Sequence, residues 1–195
     1  GEDFGATALN IKPQMMTLAK ALSSAYMPLS AAVITGDMYE ALVQPSAEVG
    51  VFGHGYTYSG HPVACAVSSK VLEIYERDQI FSNAALTGDY LQSKLQQLGQ
   101  HPLVGEARGK GLLGALELVA NKETRQAFSD NSVGAYCMQR CEENGLIVRA
   151  MGGNSIALCP PLIITEAQID ELIDKLTRSI DATLDFVTER QLLVA

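Results

Sequence analysis

The chain has 195 residues, 47% of them hydrophobic and 18% charged, with a formal net charge of -8. That is enough for one sizeable core or for two smaller lobes. An acidic balance with no basic run excludes nucleic acid as a partner, because the phosphate backbone would be repelled. Tryptophan is absent and the tyrosines and phenylalanines are scattered, so there is no aromatic ladder for stacking bases.

The four cysteines, Cys65, Cys137, Cys141 and Cys159, form no C-x-x-C pair. Cys137 and Cys141 lie four apart on one helix face and read as buried small hydrophobes in a reducing cytosol. His54, His61 and His101 lack zinc-site spacing. No run is long and apolar enough to span a membrane, and the opening Gly-Glu-Asp-Phe-Gly has no signal-peptide pattern. The expectation is a cytoplasmic protein without a metal site.

In chain order, residues 1–13 are turn-rich and end at Pro13. The apolar run Met15-Met16-Thr17-Leu18-Ala19 predicts a buried strand that delivers Lys20 to its C-terminal edge. Ala31-Ala32-Val33-Ile34-Thr35 predicts a second buried strand, followed by a short helix over residues 38–43 capped by Asp37. Residues 44–61 read as an irregular loop, and Pro62 opens a helix at the position where its missing N–H costs nothing. A further helix is predicted over 81–98, with Leu86, Tyr90, Leu91, Leu95 and Leu98 on one face. Strands follow at 112–118, 146–149 and 155–159, and helices near 132–144 and 165–188. The last helix carries a capping box, Thr165 with Gln168, and an apolar repeat of Ile169, Leu172, Ile173, Leu176 and Ile180. The pattern is a larger α/β portion followed by a small α+β lobe.

Four features carry candidate chemistry. Lys20 ends an apolar strand, where desolvation disfavours an ammonium and favours the neutral amine that carbonyl chemistry needs. The alternative is a solvated lysine just past a strand. Gly53-His54-Gly55-Tyr56-Thr57-Tyr58-Ser59-Gly60 precedes a helix start. Its backbone N–H groups, with a hydroxyl from Thr57 or Ser59, could hold a phosphate. The alternative is a surface loop capping its helix. Gly109-Lys110-Gly111-Leu112-Leu113-Gly114 fits G-x-G-x-x-G, but residues 105–108 make a poor strand before it and 115–118 alternate like a strand after it. A dinucleotide site needs a strand and then a helix, so the motif reads as a decoy. Arg149 ends the apolar run Leu146-Ile147-Val148 and could bind a carboxylate with two parallel hydrogen bonds, or simply face solvent.

Taken in order, these segments resemble one family. The stretch from Pro13 through Lys20-Ala21-Leu22-Ser23-Ser24-Ala25-Tyr26-Met27-Pro28-Leu29 is similar to the lysine segment of class III aminotransferases. His54-Gly55-Tyr56-Thr57-Tyr58-Ser59-Gly60-His61-Pro62 resembles that family's phosphate loop, and Arg108 through Gly114 resembles a turn and strand of its small domain. Gly145-Leu146-Ile147-Val148-Arg149 with Cys159-Pro160-Pro161-Leu162 resembles the end region of the omega-transaminase branch.

The resemblance implies the C-terminal part of the fold-type I architecture of pyridoxal 5'-phosphate (PLP) enzymes, an α/β fold. Residues 1–100 would belong to the large PLP-binding domain and 101–195 to the small C-terminal domain. It implies a homodimer that moves an amino group between an amine or amino acid and a keto acid such as pyruvate. Lys20 would form the PLP Schiff base and shuttle the proton, Thr57 with the Tyr56 N–H would bind the cofactor phosphate, and Arg149 would hold the substrate carboxylate. Ala21, Ala25 and Ser30 stand where the family has glycine, and Gln14 where it has an acidic residue. A glycine-to-alanine change is harmless in a helix and costly at positive φ. Family members are expected to be about twice this length, with the rest of the cofactor site in the other half. Two rivals remain: a non-catalytic interaction module without cofactor, and a PLP aminomutase.

Overall fold

Strand β1 (Met15–Leu18) runs into a single 3-10 turn (Lys20–Leu22) and pairs antiparallel with β2 (Ala31–Ile34), in a computed structural model that describes residues 1–194. The register sets Met15 opposite Ile34 and Leu18 opposite Ala31. A one-turn helix α1 (Gly5–Ala8) precedes this ribbon, and helices α2 (Gly36–Val49) and α3 (Pro62–Arg77) follow. Glu2–Ile80 make one compact unit.

Both strands were expected to be buried, and neither is: every residue of β1 and β2 is exposed or half-buried. Their continuous apolar pattern is that of strands covered on both faces. A two-stranded ribbon has no sheet neighbour to cover it, so the pattern is met by solvent here. Helix α2 is longer than the expected 38–43 and runs through Pro45. Its N-cap is Thr35 rather than Asp37, which sits in the first turn where its charge favours the helix dipole. Gly50, at φ 108°, ends the helix, so the irregular loop begins there and not at residue 44. Pro62 opens α3 as expected, with the His61 ring accepting the Ala64 N–H at 3.5 Å.

The second unit comprises Gly1 and the chain from Phe81 onward. Its elements are α4 (Ile80–Leu98), β3 (Val104–Lys110), β4 (Leu113–Leu118), α5 (Ser132–Glu143), β5 (Arg149–Met151), β6 (Ser155–Leu158) and α6 (Glu166–Glu189). The four strands form one antiparallel sheet in the order β3-β4-β6-β5. Leu91 and Leu95 of α4, Leu116 and Leu118 of β4, Ile156 of β6, and Ile169, Leu176 and Ile180 of α6 are fully buried in one cluster. The α6 stripe matches the predicted repeat, except that Ile173 is only partly buried. The Thr165 capping box is complete in both directions.

On α4 the buried face runs through Ala84, Thr87, Gly88, Leu91, Leu95 and Leu98, while Leu86 is 73% exposed. The helix is rolled so that small residues meet the β3–β4 hairpin. A Cβ on Gly88 would come within 2.6 Å of the Gly111 Cα. The weakly apolar 104–110 segment is a strand after all, because pairing with β4 supplies its hydrogen bonds. Its outward Arg108 bonds Glu117 at 2.7 Å and Glu106 at 2.8 Å, and these carboxylates, Glu117 first, hold the guanidinium above its usual range.

Candidate functional site

Lys20 follows β1 after one residue, Ala19, and opens the 3-10 turn, with φ 54°. The strand places it at the C-terminal edge, as expected, but its side chain is exposed, so the desolvation argued from the sequence is not met within the described residues. The reason is the uncovered ribbon above. The turn continues through Ser23, buried at 2% exposure, whose Oγ donates to the Met27 carbonyl at 2.5 Å. Of the three positions where glycine was expected, Ala25 has φ 62°, whereas Ala21 and Ser30 are outside the left-handed region.

Tyr56 and Thr57 lie in an exposed turn just ahead of α3, closed by the Ser59 N–H donating to the Tyr56 carbonyl at 2.9 Å. A second turn, His61 N–H to Tyr58 carbonyl at 3.2 Å, passes through Gly60 at φ 70° and leads into Pro62. Among the described residues, the N–H groups of Tyr56 and Thr57 and the Thr57 hydroxyl have no protein acceptor. Open space surrounds Gly53, Gly55 and Gly60. Two free N–H groups and a hydroxyl at the approach to a helix N-terminus are the donor set an oxyanion needs.

Arg149 begins the edge strand β5, opposite Ala157 of β6. The expected strand 146–149 is only its last residue, and β5 extends beyond it. Arg149 is exposed and forms no ion pair among the described residues. Lys20, Tyr56 and Thr57 thus belong to the Glu2–Ile80 unit, and Arg149 to the other. The G-x-G-x-x-G motif spans the β3–β4 hairpin, with Gly111 at φ 58° in its turn. A strand and not a helix follows it, which removes a dinucleotide site.

One contact had no sequence signal. The Tyr75 hydroxyl, from α3, donates to the Ala21 carbonyl at 3.0 Å across 54 positions of the chain. Among the described residues no cluster of His, Cys, Asp and Glu gathers as metal ligands, and no helix is long and apolar enough to cross a membrane.

One unit thus carries a lysine just past a strand and a turn of unpartnered N–H groups before a helix, and the other an antiparallel α+β lobe. The class-III aminotransferase family model matches residues 1–180, and the chain belongs to that family. It is 46% identical over 184 residues to the putrescine–pyruvate aminotransferase of Pseudomonas aeruginosa, covering 94% of this chain and 39% of that protein. It is 40% identical to the mitochondrial gamma aminobutyrate transaminase 1 of Solanum lycopersicum, covering 89% of this chain and 34% of that protein. The crystal structure of the omega transaminase from Pseudomonas jessenii in complex with PMP superposes with a TM-score of 0.91 at 39% identity, covering 96% of this chain and 41% of that one. The chain therefore spans about two fifths of the length of the relatives it matches.

Proposed function

We propose that the protein to which this chain belongs is an aminotransferase that uses PLP to move an amino group from an amine or amino acid to a keto acid. The observation that carries this is the pairing, in one unit of a class III family member, of an exposed strand-end lysine with an unsatisfied oxyanion turn. The donor set fits the cofactor: Lys20 would hold it through a primary amine, and the Tyr56 and Thr57 N–H groups and the Thr57 hydroxyl would hold its phosphate. Bound there, PLP supplies the electron sink that no side chain provides.

Lys20 Nζ is the proton carrier of the reaction, since it is the one amine at the strand edge and is engaged by no carboxylate among the described residues. Arg149, likewise unpaired and on an edge strand, binds the carboxylate of the acceptor through its planar fork. Pyruvate is the acceptor this reading favours, and the likeness to a putrescine–pyruvate aminotransferase supports it. A homodimer acting in the cytoplasm completes the reading. The association is supported by the exposed apolar side chains of the lysine-bearing unit, Met15, Val33, Val51 and Phe52 among them.

Borohydride trapping tests it. The chain is incubated with PLP, reduced, digested and mapped by mass spectrometry, beside Lys20→Ala. A pyridoxyl adduct concentrated on Lys20 and lost in the variant is the expected result. Adducts spread evenly over the surface lysines would sink the proposal and leave a cofactor-free interaction module.

A further inference from the structure

The turn after Lys20 concentrates left-handed backbone. Lys20, Ser24 and Ala25 have φ of 54°, 49° and 62°. With a side chain present this conformation crowds Cβ against the following carbonyl oxygen, and it persists only where the surroundings over-determine it. Two side chains do so. Ser23 fastens the turn locally to the Met27 carbonyl. Tyr75 fastens it from another element: its hydroxyl donates at 3.0 Å to the Ala21 carbonyl, the same oxygen that accepts the Ser24 N–H at 3.2 Å.

The half-buried Tyr75 continues the α3 face on which Ala64, Ser68 and Val71 are buried, and α3 lies against the 3-10 turn. The same helix begins just after the Tyr56–Thr57 turn. Helix α3 thus ties the lysine turn, near its C-terminal end, to the segment carrying the oxyanion donors at its start.

We infer that Tyr75 is a positioning residue for Lys20: its phenol hydroxyl, by holding the Ala21 carbonyl, keeps the turn that sets the direction of the Lys20 amine. The inference rests on the reading of Lys20 as the cofactor-binding lysine.

The test uses the whole chain, with Tyr75→Phe to remove only the hydroxyl and Tyr39→Phe, on α2, as control. Hydrogen exchange over residues 20–27 is read without PLP, and the ratio of Lys20 to Lys70 pyridoxyl adducts is read after borohydride. Tyr75→Phe is expected to quicken exchange at Ser23, Ser24 and Ala25 about fivefold, with β1 and α3 unchanged, and to lower the adduct ratio about fivefold. Tyr39→Phe should match the unsubstituted chain. Unchanged exchange, exchange that quickens throughout the unit, or local quickening with an unchanged adduct ratio would each overturn the positioning role. A chain whose Lys20 has no preference before substitution overturns the aminotransferase reading instead. Exchange at residues 20–27 still decides whether Tyr75 holds the turn.

Discussion

Ala25 shows how one residue can carry information that no pattern contains. Its φ of 62° is a conformation glycine adopts freely, and an alanine there costs about 1–2 kcal/mol. Ala21, four residues earlier, sits in the 3-10 turn with ordinary backbone. The two alanines look equivalent in the sequence, yet substitution should act on them with opposite signs. Ala25→Gly is expected to raise the urea midpoint of the Glu2–Ile80 unit, because relieved strain exceeds the added freedom of the unfolded chain. Ala21→Gly is expected to lower it by the usual cost of glycine in a helical turn. Equal shifts of the same sign would show that the turn is not held in this conformation.

At the scale of elements, helix α6 is specified several times over. The Thr165 capping box satisfies its first turn, and its apolar stripe matches the sheet face beneath. Its exposed side is tied to α4 through Asp170, which accepts from the Tyr90 hydroxyl at 2.8 Å and from Lys94 Nζ at 2.7 Å. Lys94, then Tyr90, hold this carboxyl below the ordinary aspartate value of 3.8. A carboxyl depressed in the native state contributes stability that is fully present above the unfolded value and is lost as pH falls through the native one. The stabilising effect of Asp170 over Asp170→Asn should therefore be constant near neutral pH, begin to shrink below about 3.8 and disappear only as pH falls through the lower native value. Urea midpoints of the two proteins at pH 7 and pH 3 measure it. A gap as large at pH 3 as at pH 7 would assign the difference to packing.

At the scale of the whole molecule the two units differ in kind. The unit from Phe81 onward encloses a closed cluster in which Leu95, Leu116, Ile156 and Ile169 are fully buried. The Glu2–Ile80 unit buries few large side chains, and residues such as Met15, Val51 and Phe52 stand exposed. Apolar surface of this extent marks a face made for covering. Limited proteolysis should therefore cut first within residues 2–80, in the loop after Gly50, and leave a resistant fragment that begins near Phe81. Early cleavage inside 81–194 would contradict the core described above.

Much of the helical structure was legible in the sequence, because several helices carry their own punctuation. Pro62, the Thr165 box and the period of Ile169, Leu172, Leu176 and Ile180 are local signals, and local hydrogen bonds and amphipathicity suffice to define those elements. The order of the motif blocks likewise sufficed to place the chain in its family. Other features depend on partners distant in the chain. Strand β3 exists through its pairing with β4, and Leu86 faces solvent because Gly88 must meet the hairpin. The exposure of Lys20, the left-handed Ala25 and the Tyr75 bond to Ala21 are likewise set by what covers a segment or reaches it from elsewhere. A sequence states which residues are apolar and where turns fall. Which surfaces they meet is decided when the chain closes on itself, since burial, φ and long-range hydrogen bonds are properties of contacts and not of single residues.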